Sequence, residues 1–117
     1  MKKLVFLLIW LFIVFPLLSQ TNATYRFNDE IKKADSLLGT DVNSAIKLAK
    51  NIQSNPGVTS GDYVKTSIIL GIAYKKKGNY DSSLYFVNSG IEKAEAIHDT
   101  ISIIKLYSNR GVVEYLR

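Results

Sequence analysis

Apolar residues follow two different rhythms along this chain. Between positions 4 and 18 they run unbroken except at Pro16. From Phe27 onward they recur every three or four residues, the spacing that draws one stripe along an α-helix, and short breakers interrupt the pattern. Five helices are predicted, over positions 28–38, 42–54, 60–77, 80–98 and 100–116, with no strand-like alternation between them. Gly39, Asn55-Pro56-Gly57 and Gly78 are the stops. Thr40 or Asp41, Asn79, and Asp99 or Thr100 are the candidate caps. The fourth segment is the clearest, because Tyr80, Leu84, Val87, Ile91, Ala94 and His98 recur at spacings of four, three, four, three and four. Its opposite face carries Asp81, Asn88, Glu92 and Glu95. Amphipathic helices joined by connections this short fold back on one another as antiparallel hairpins, so the expected class is all-α.

The first twenty residues stand apart. Lys2 and Lys3 precede the fifteen-residue apolar stretch, and Ser19, Gln20, Thr21 and Asn22 follow it, which is the layout of a secretory signal peptide. Fifteen helical residues span about 22 Å, short of the roughly 30 Å hydrocarbon core of a bilayer. Cleavage is expected after about residue 19 to 23, Ser19 and Ala23 being the candidate small residues. Retention of positions 4–18 as an N-terminal membrane anchor is the alternative. Both place the body outside the cytoplasm, periplasmic or secreted, where nucleoside triphosphates and chromosomal DNA are out of reach.

Composition narrows the chemistry. A chain of 117 residues fits one domain, and with no cysteine it has no disulfide, thiolate zinc site, iron–sulfur ligation or Cys nucleophile. The net charge of +5 includes the two leader lysines, leaving 13 Lys/Arg against 10 Asp/Glu, or +3, in the body. Acids and bases there are mostly interleaved, as in Glu92, Lys93 and Glu95, so no nucleic-acid footprint is expected. His98 is the single histidine and reads as a helix-end residue suited to the dipole; Lys75-Lys76-Lys77 reads as a solvated last turn. No Ser/His/acid constellation, phosphate loop or paired-carboxylate motif occurs, so neither catalysis nor a metal or other cofactor is expected.

Self-similarity supplies the strongest signal. Leu70-Gly71-Ile72-Ala73-Tyr74, then Gly78-Asn79-Tyr80-Asp81, then Ser83, Val87 and Gly90, resembles the tetratricopeptide repeat. The resemblance implies a Leu-Gly and a later Tyr on the first helix of a hairpin, a Gly-x-Tyr turn, and small residues on the second helix where the pair meets. Leu84 and Ile91 complete the packing stripe. Asn109-Arg110-Gly111-Val112-Val113 echoes the motif, with Gly111 forty residues after Gly71, and Ala45 to Ile52 fits the second helix of an earlier hairpin. The repeat therefore resembles the longer, forty-residue variety. Ser83 stands where alanine is usual, Val87 where an aromatic is, Arg110 where leucine is, and Glu114 beside Tyr115 where tyrosine is.

What the resemblance implies is a short right-handed α-solenoid whose last hairpin is incomplete, with Gly71 and Gly111 marking equivalent contacts. It implies a non-catalytic module that binds a peptide or protein on the concave face made by successive first helices. Tyr63, Lys65, Thr66, Ile69, Ile72 and Lys76 are the expected lining from the third helix, and Ser108, Asn109 and Val112 from the fifth. In the bacterial proteins of this kind, exported repeats precede a histidine kinase or a DNA-binding region, so a sensory fragment of a signalling protein, including a truncated gene product, is the alternative. The fifth helix is expected to leave Ile101, Ile104, Tyr107, Val112, Val113 and Leu116 covered on one side only, a candidate surface for self-association.

Overall fold

The structure, a computed structural model, describes residues 25–117, and the leader lies outside them. Among the described residues the chain is all-α, with five helices and no strand: α1 (Asn28–Leu37), α2 (Val42–Ser54), α3 (Ser60–Lys76), α4 (Tyr80–Ala96) and α5 (Thr100–Leu116). None is long and apolar enough to cross a membrane. The bounds of α2 and α5 match the sequence-based ones, while α1, α3 and α4 end one, one and two residues earlier.

Capping explains where the helices start. Asp41, Asn79 and Asp99 each accept a hydrogen bond from the amide of a serine three residues on, Ser44, Ser82 and Ser102. That satisfies one of the orphan donors of each first turn. The Ser44 hydroxyl and amide also hold the Asp41 carboxyl below its ordinary pKa. At α3 the cap is reciprocal: Thr59 accepts from the Asp62 amide, and the Asp62 carboxylate accepts from the Thr59 amide.

The ends of α3 and α4 share one geometry. Asn79 N–H reaches back to the Tyr74 carbonyl and Gly78 N–H to that of Lys75; twenty residues later Asp99 bonds Ala94 and His98 bonds Glu95. This double closure requires a left-handed residue, Gly78 at φ 74° and His98 at φ 56°. His98 is therefore outside the α4 stripe, which ends at Ala94, because the turn claims its backbone and leaves its side chain exposed.

The helix α3 is the centre of the fold. Its Ile69, Leu70 and Ala73 join Ile31 and Ala34 of α1 and Ala45, Ala49 and Ile52 of α2 in one buried cluster. Its Val64 joins Val87, Ile91 and Ala94 of α4 and Leu106 of α5 in another. A helix buried on two sides must approach its partners closely, and small residues permit it. A Cβ at Gly71 would sit 2.6 Å from Val87 Cγ2, and one at Gly90 would sit 2.7 Å from Ser67 Cβ. Ser83 belongs to the same contact: its hydroxyl donates to the Gly71 carbonyl at 2.7 Å, a bond that alanine could not make. Tyr74, half-buried, stacks on Phe86 with ring centroids 5.6 Å apart, and Tyr80 is half-buried at the start of α4.

Gly111 departs from expectation. It is exposed and nothing lies within 4 Å of where its Cβ would be, because α4 covers Gly71 while no described helix covers the matching face of α5. The same holds forty positions after fully buried Val64, where Ile104 is 64% exposed. Of the residues expected to lie open on α5, Val113 is instead fully buried; it lies three residues after Arg110, which donates to Asn88 of α4.

Asp62 ties the segment before α1 to the body. Fully buried, its carboxylate accepts the backbone N–H of Arg26 (3.0 and 3.1 Å) and of Phe27 (3.3 Å) in addition to that of Thr59. Three donors on one carboxylate leave little unsatisfied after burial.

Two sets of substitutions check this packing by urea denaturation. Gly71→Ala and Gly90→Ala are expected to cost about 1 to 3 kcal/mol by overpacking, whereas Gly111→Ala gains up to about 1 kcal/mol from helix propensity; equal effects at the three glycines would contradict the close-approach account. Asp62→Ala removes the acceptor of three backbone amides and is expected to cost about 2 to 4 kcal/mol, with Asp62→Asn losing less because one acceptor oxygen remains.

Candidate functional site

The odd-numbered helices lie side by side and line a continuous open hollow. One part is bordered by Asn28, Ile31, Lys32 and Asp35 of α1, by Lys65, Ile68 and Ile69 of α3, and by Ser102 and Lys105 of α5. The adjoining part runs between α3 and α5, bordered by Ile68, Ile72 and Lys75 on one side and by Ile104, Lys105, Ser108, Asn109 and Val112 on the other. Ile68 and Lys105 belong to both, which makes them one groove. On α3 the lining recurs at Lys65, Ile68, Ile72 and Lys75, spacings of three, four and three that keep one helical face toward the hollow.

Floor and rim differ in character. Ile31, Ile69, Ser102 and Asn109 are buried at the bottom, Ile68 and Ile72 are half-buried, and Lys32 and Lys105 stand exposed. Lys65 Nζ lies 4.0 Å from the centroid of the Tyr25 ring, within cation–π range. Burial, and then the carboxylates of Asp99 and Asp62, raise the Tyr25 hydroxyl above its ordinary pKa, so that ring stays neutral beneath the ammonium. Lys75 Nζ donates to Asn109 Oδ1 at 2.9 Å. The Asn109 Nδ2 is buried against α3 without a hydrogen-bond partner.

Six of the nine expected lining residues sit in this groove: Lys65, Ile69, Ile72, Ser108, Asn109 and Val112. Three are elsewhere. Tyr63 turns toward α4, its hydroxyl 2.6 Å from Ser89 Oγ and its ring under Lys93. Thr66 is fully buried, donating to the Asp62 carbonyl and accepting from Gln53 of α2. Lys76 donates to the Leu38 carbonyl at 2.9 Å, closing the C-terminal end of α1. Tyr63 lies two residues before Lys65 and Thr66 one residue after it, and each step of one residue turns the side chain by about 100°.

The lysine run is not simply a solvated last turn. Its three ammonium groups reach three elements: Asn109 of α5, the Leu38 carbonyl after α1, and Asn43 of α2. The sequence reading missed the contribution of α1, along with Ile68, Lys75, Ile104 and Lys105. The α3 residues were detectable from their three-four-three spacing. Those of α1 were not, because the first hairpin has no Leu-Gly-x-x-Tyr to set its register.

In comparisons with known proteins, the chain matches no family model, no curated protein and no solved structure.

Lys76→Met keeps the aliphatic stem and removes the bond to Leu38. It is expected to lower stability by about 0.5 to 1.5 kcal/mol and to speed amide exchange selectively around 38–41. Uniformly faster exchange along α3 would point to a different role.

Proposed function

We propose that this chain is a non-catalytic protein–protein interaction module of the tetratricopeptide-like kind, stacking its hairpins as a short solenoid and binding a peptide or protein segment in the groove between α1, α3 and α5. The observation that carries this reading is the alternation along the chain: first helices contribute the groove, and second helices lie behind them. A groove of this kind presents half-buried isoleucines with polar groups around them, the mixture that gives a bound segment both apolar contact and orientation. His98 is an exposed turn residue, and the neighbouring Asp99 carboxylate is held by the amide and hydroxyl of Ser102. The leader-like positions 1–20 support export of the module.

A phage-displayed random peptide library panned against the chain tests the groove. Selected peptides are expected to lose affinity by about tenfold or more on Ile72→Gln or Val112→Gln, with the helical circular dichroism unchanged. Peptides whose binding ignores both substitutions and instead responds to changes on the outer face of α4, such as Tyr85→Ala, would overturn the assignment.

A further inference from the structure

The charge of the groove specifies its occupant more narrowly. Four lysines border it, Lys32 from α1, Lys65 and Lys75 from α3, and Lys105 from α5, against one bordering carboxylate, Asp35; the nearby carboxylates of Asp62 and Asp99 are taken up by backbone amides and by Ser102. The ion pairs among the described residues are Arg110–Glu114 and Arg117–Asp81, and neither involves a groove lysine. Two of the four are held in place by groups that leave their charge intact: the neutral Tyr25 ring beneath Lys65 and the Asn109 amide oxygen at Lys75. Positive charge from three helices therefore converges over the half-buried Ile68 and Ile72, where low-dielectric walls focus the potential. The acids of α4, Asp81, Glu92 and Glu95, lie on its exposed side and none borders the groove.

The geometry points to an acidic peptide segment as the partner, one that interleaves Asp or Glu with apolar side chains. This rests on the groove being the binding face. Lys65 and Lys75 are ten residues apart, about 15 Å along the axis of α3, a distance that about five extended residues cover. Carboxylates near the two ends of such a segment meet the lysines, and the apolar side chains between them rest on Ile68 and Ile72. The lysines are already positioned, so little ordering is required when the partner arrives.

The test uses the chain with a short fluorescein-labelled peptide of glutamates interleaved with leucines, its Glu→Gln copy and its Glu→Lys copy, read by fluorescence anisotropy. The glutamate peptide is expected to bind at least about tenfold tighter than the glutamine copy. That advantage shrinks between about 50 and about 300 mM salt and is lost in Lys65→Gln/Lys105→Gln. Equal binding of the glutamate and glutamine peptides, abolished for both by Ile72→Gln, would overturn the acidic preference while leaving the groove as the binding face. Absence of binding by any of the three would overturn both. Tighter binding of a single-stranded oligonucleotide or of phosphatidylglycerol vesicles than of the glutamate peptide would reassign the lysines to a different partner. The comparison of peptides and of salt needs no variant, so it stands even if the double substitution unfolds the chain.

Discussion

The close approach of α3 and α4 at Gly71, Ser83, Val87 and Gly90 is the constraint on which the rest depends. It lets a helix with buried surface on two sides serve both apolar clusters. A bulkier residue at Gly71 would push α4 away and also displace Asn109, whose Nδ2 lies 2.9 Å from the position of the missing Cβ. Because Asn109 in turn receives Lys75, the spacing between two buried backbones reaches the edge of the groove through one side chain. Structure and candidate function are thus coupled at a glycine that makes no contribution of its own to the binding surface.

Polar groups inside α3 follow the same logic. Asp62, Thr66 and Ser67 are fully buried in the central helix, a costly arrangement for unsatisfied groups. Each has partners supplied by a different element: the segment before α1 for Asp62, and Gln53 of α2 for Thr66 and Ser67. Such bonds fix the rotation of α3 about its own axis, since turning it by one residue would break all of them. The groove stripe of Lys65, Ile68, Ile72 and Lys75 inherits its direction from this buried network.

The helices were legible in the amino-acid order because their ends are local affairs. An Asp or Asn followed three positions later by serine, and a glycine at the close, can be read without knowing any neighbour. What was illegible depends on distant partners or on a conformation that the residue type does not advertise. His98 takes a left-handed turn that glycine fills at position 78, so the four-three periodicity carried the predicted helix past its end. Lys76 resembles any solvated lysine until the Leu38 carbonyl, thirty-eight positions away, is placed against it. Separating Thr66 and Tyr63 from the groove stripe requires a register accurate to one residue, which the amino-acid order alone does not supply. Ser83, a departure from the familiar repeat when seen in the sequence, has its reason in the carbonyl of Gly71.

One regularity reaches beyond the present fold. The helices α3, α4 and α5 each hold 17 residues and start at positions 60, 80 and 100, and the turns after α3 and α4 close by the same pair of backbone bonds. A tandem copy of a stretch running from one cap to the cap forty positions on would therefore join without altering either turn. Replication slippage or unequal recombination could lengthen such a gene in whole units, extending the lysine-edged channel at each event while sparing the helices already in place.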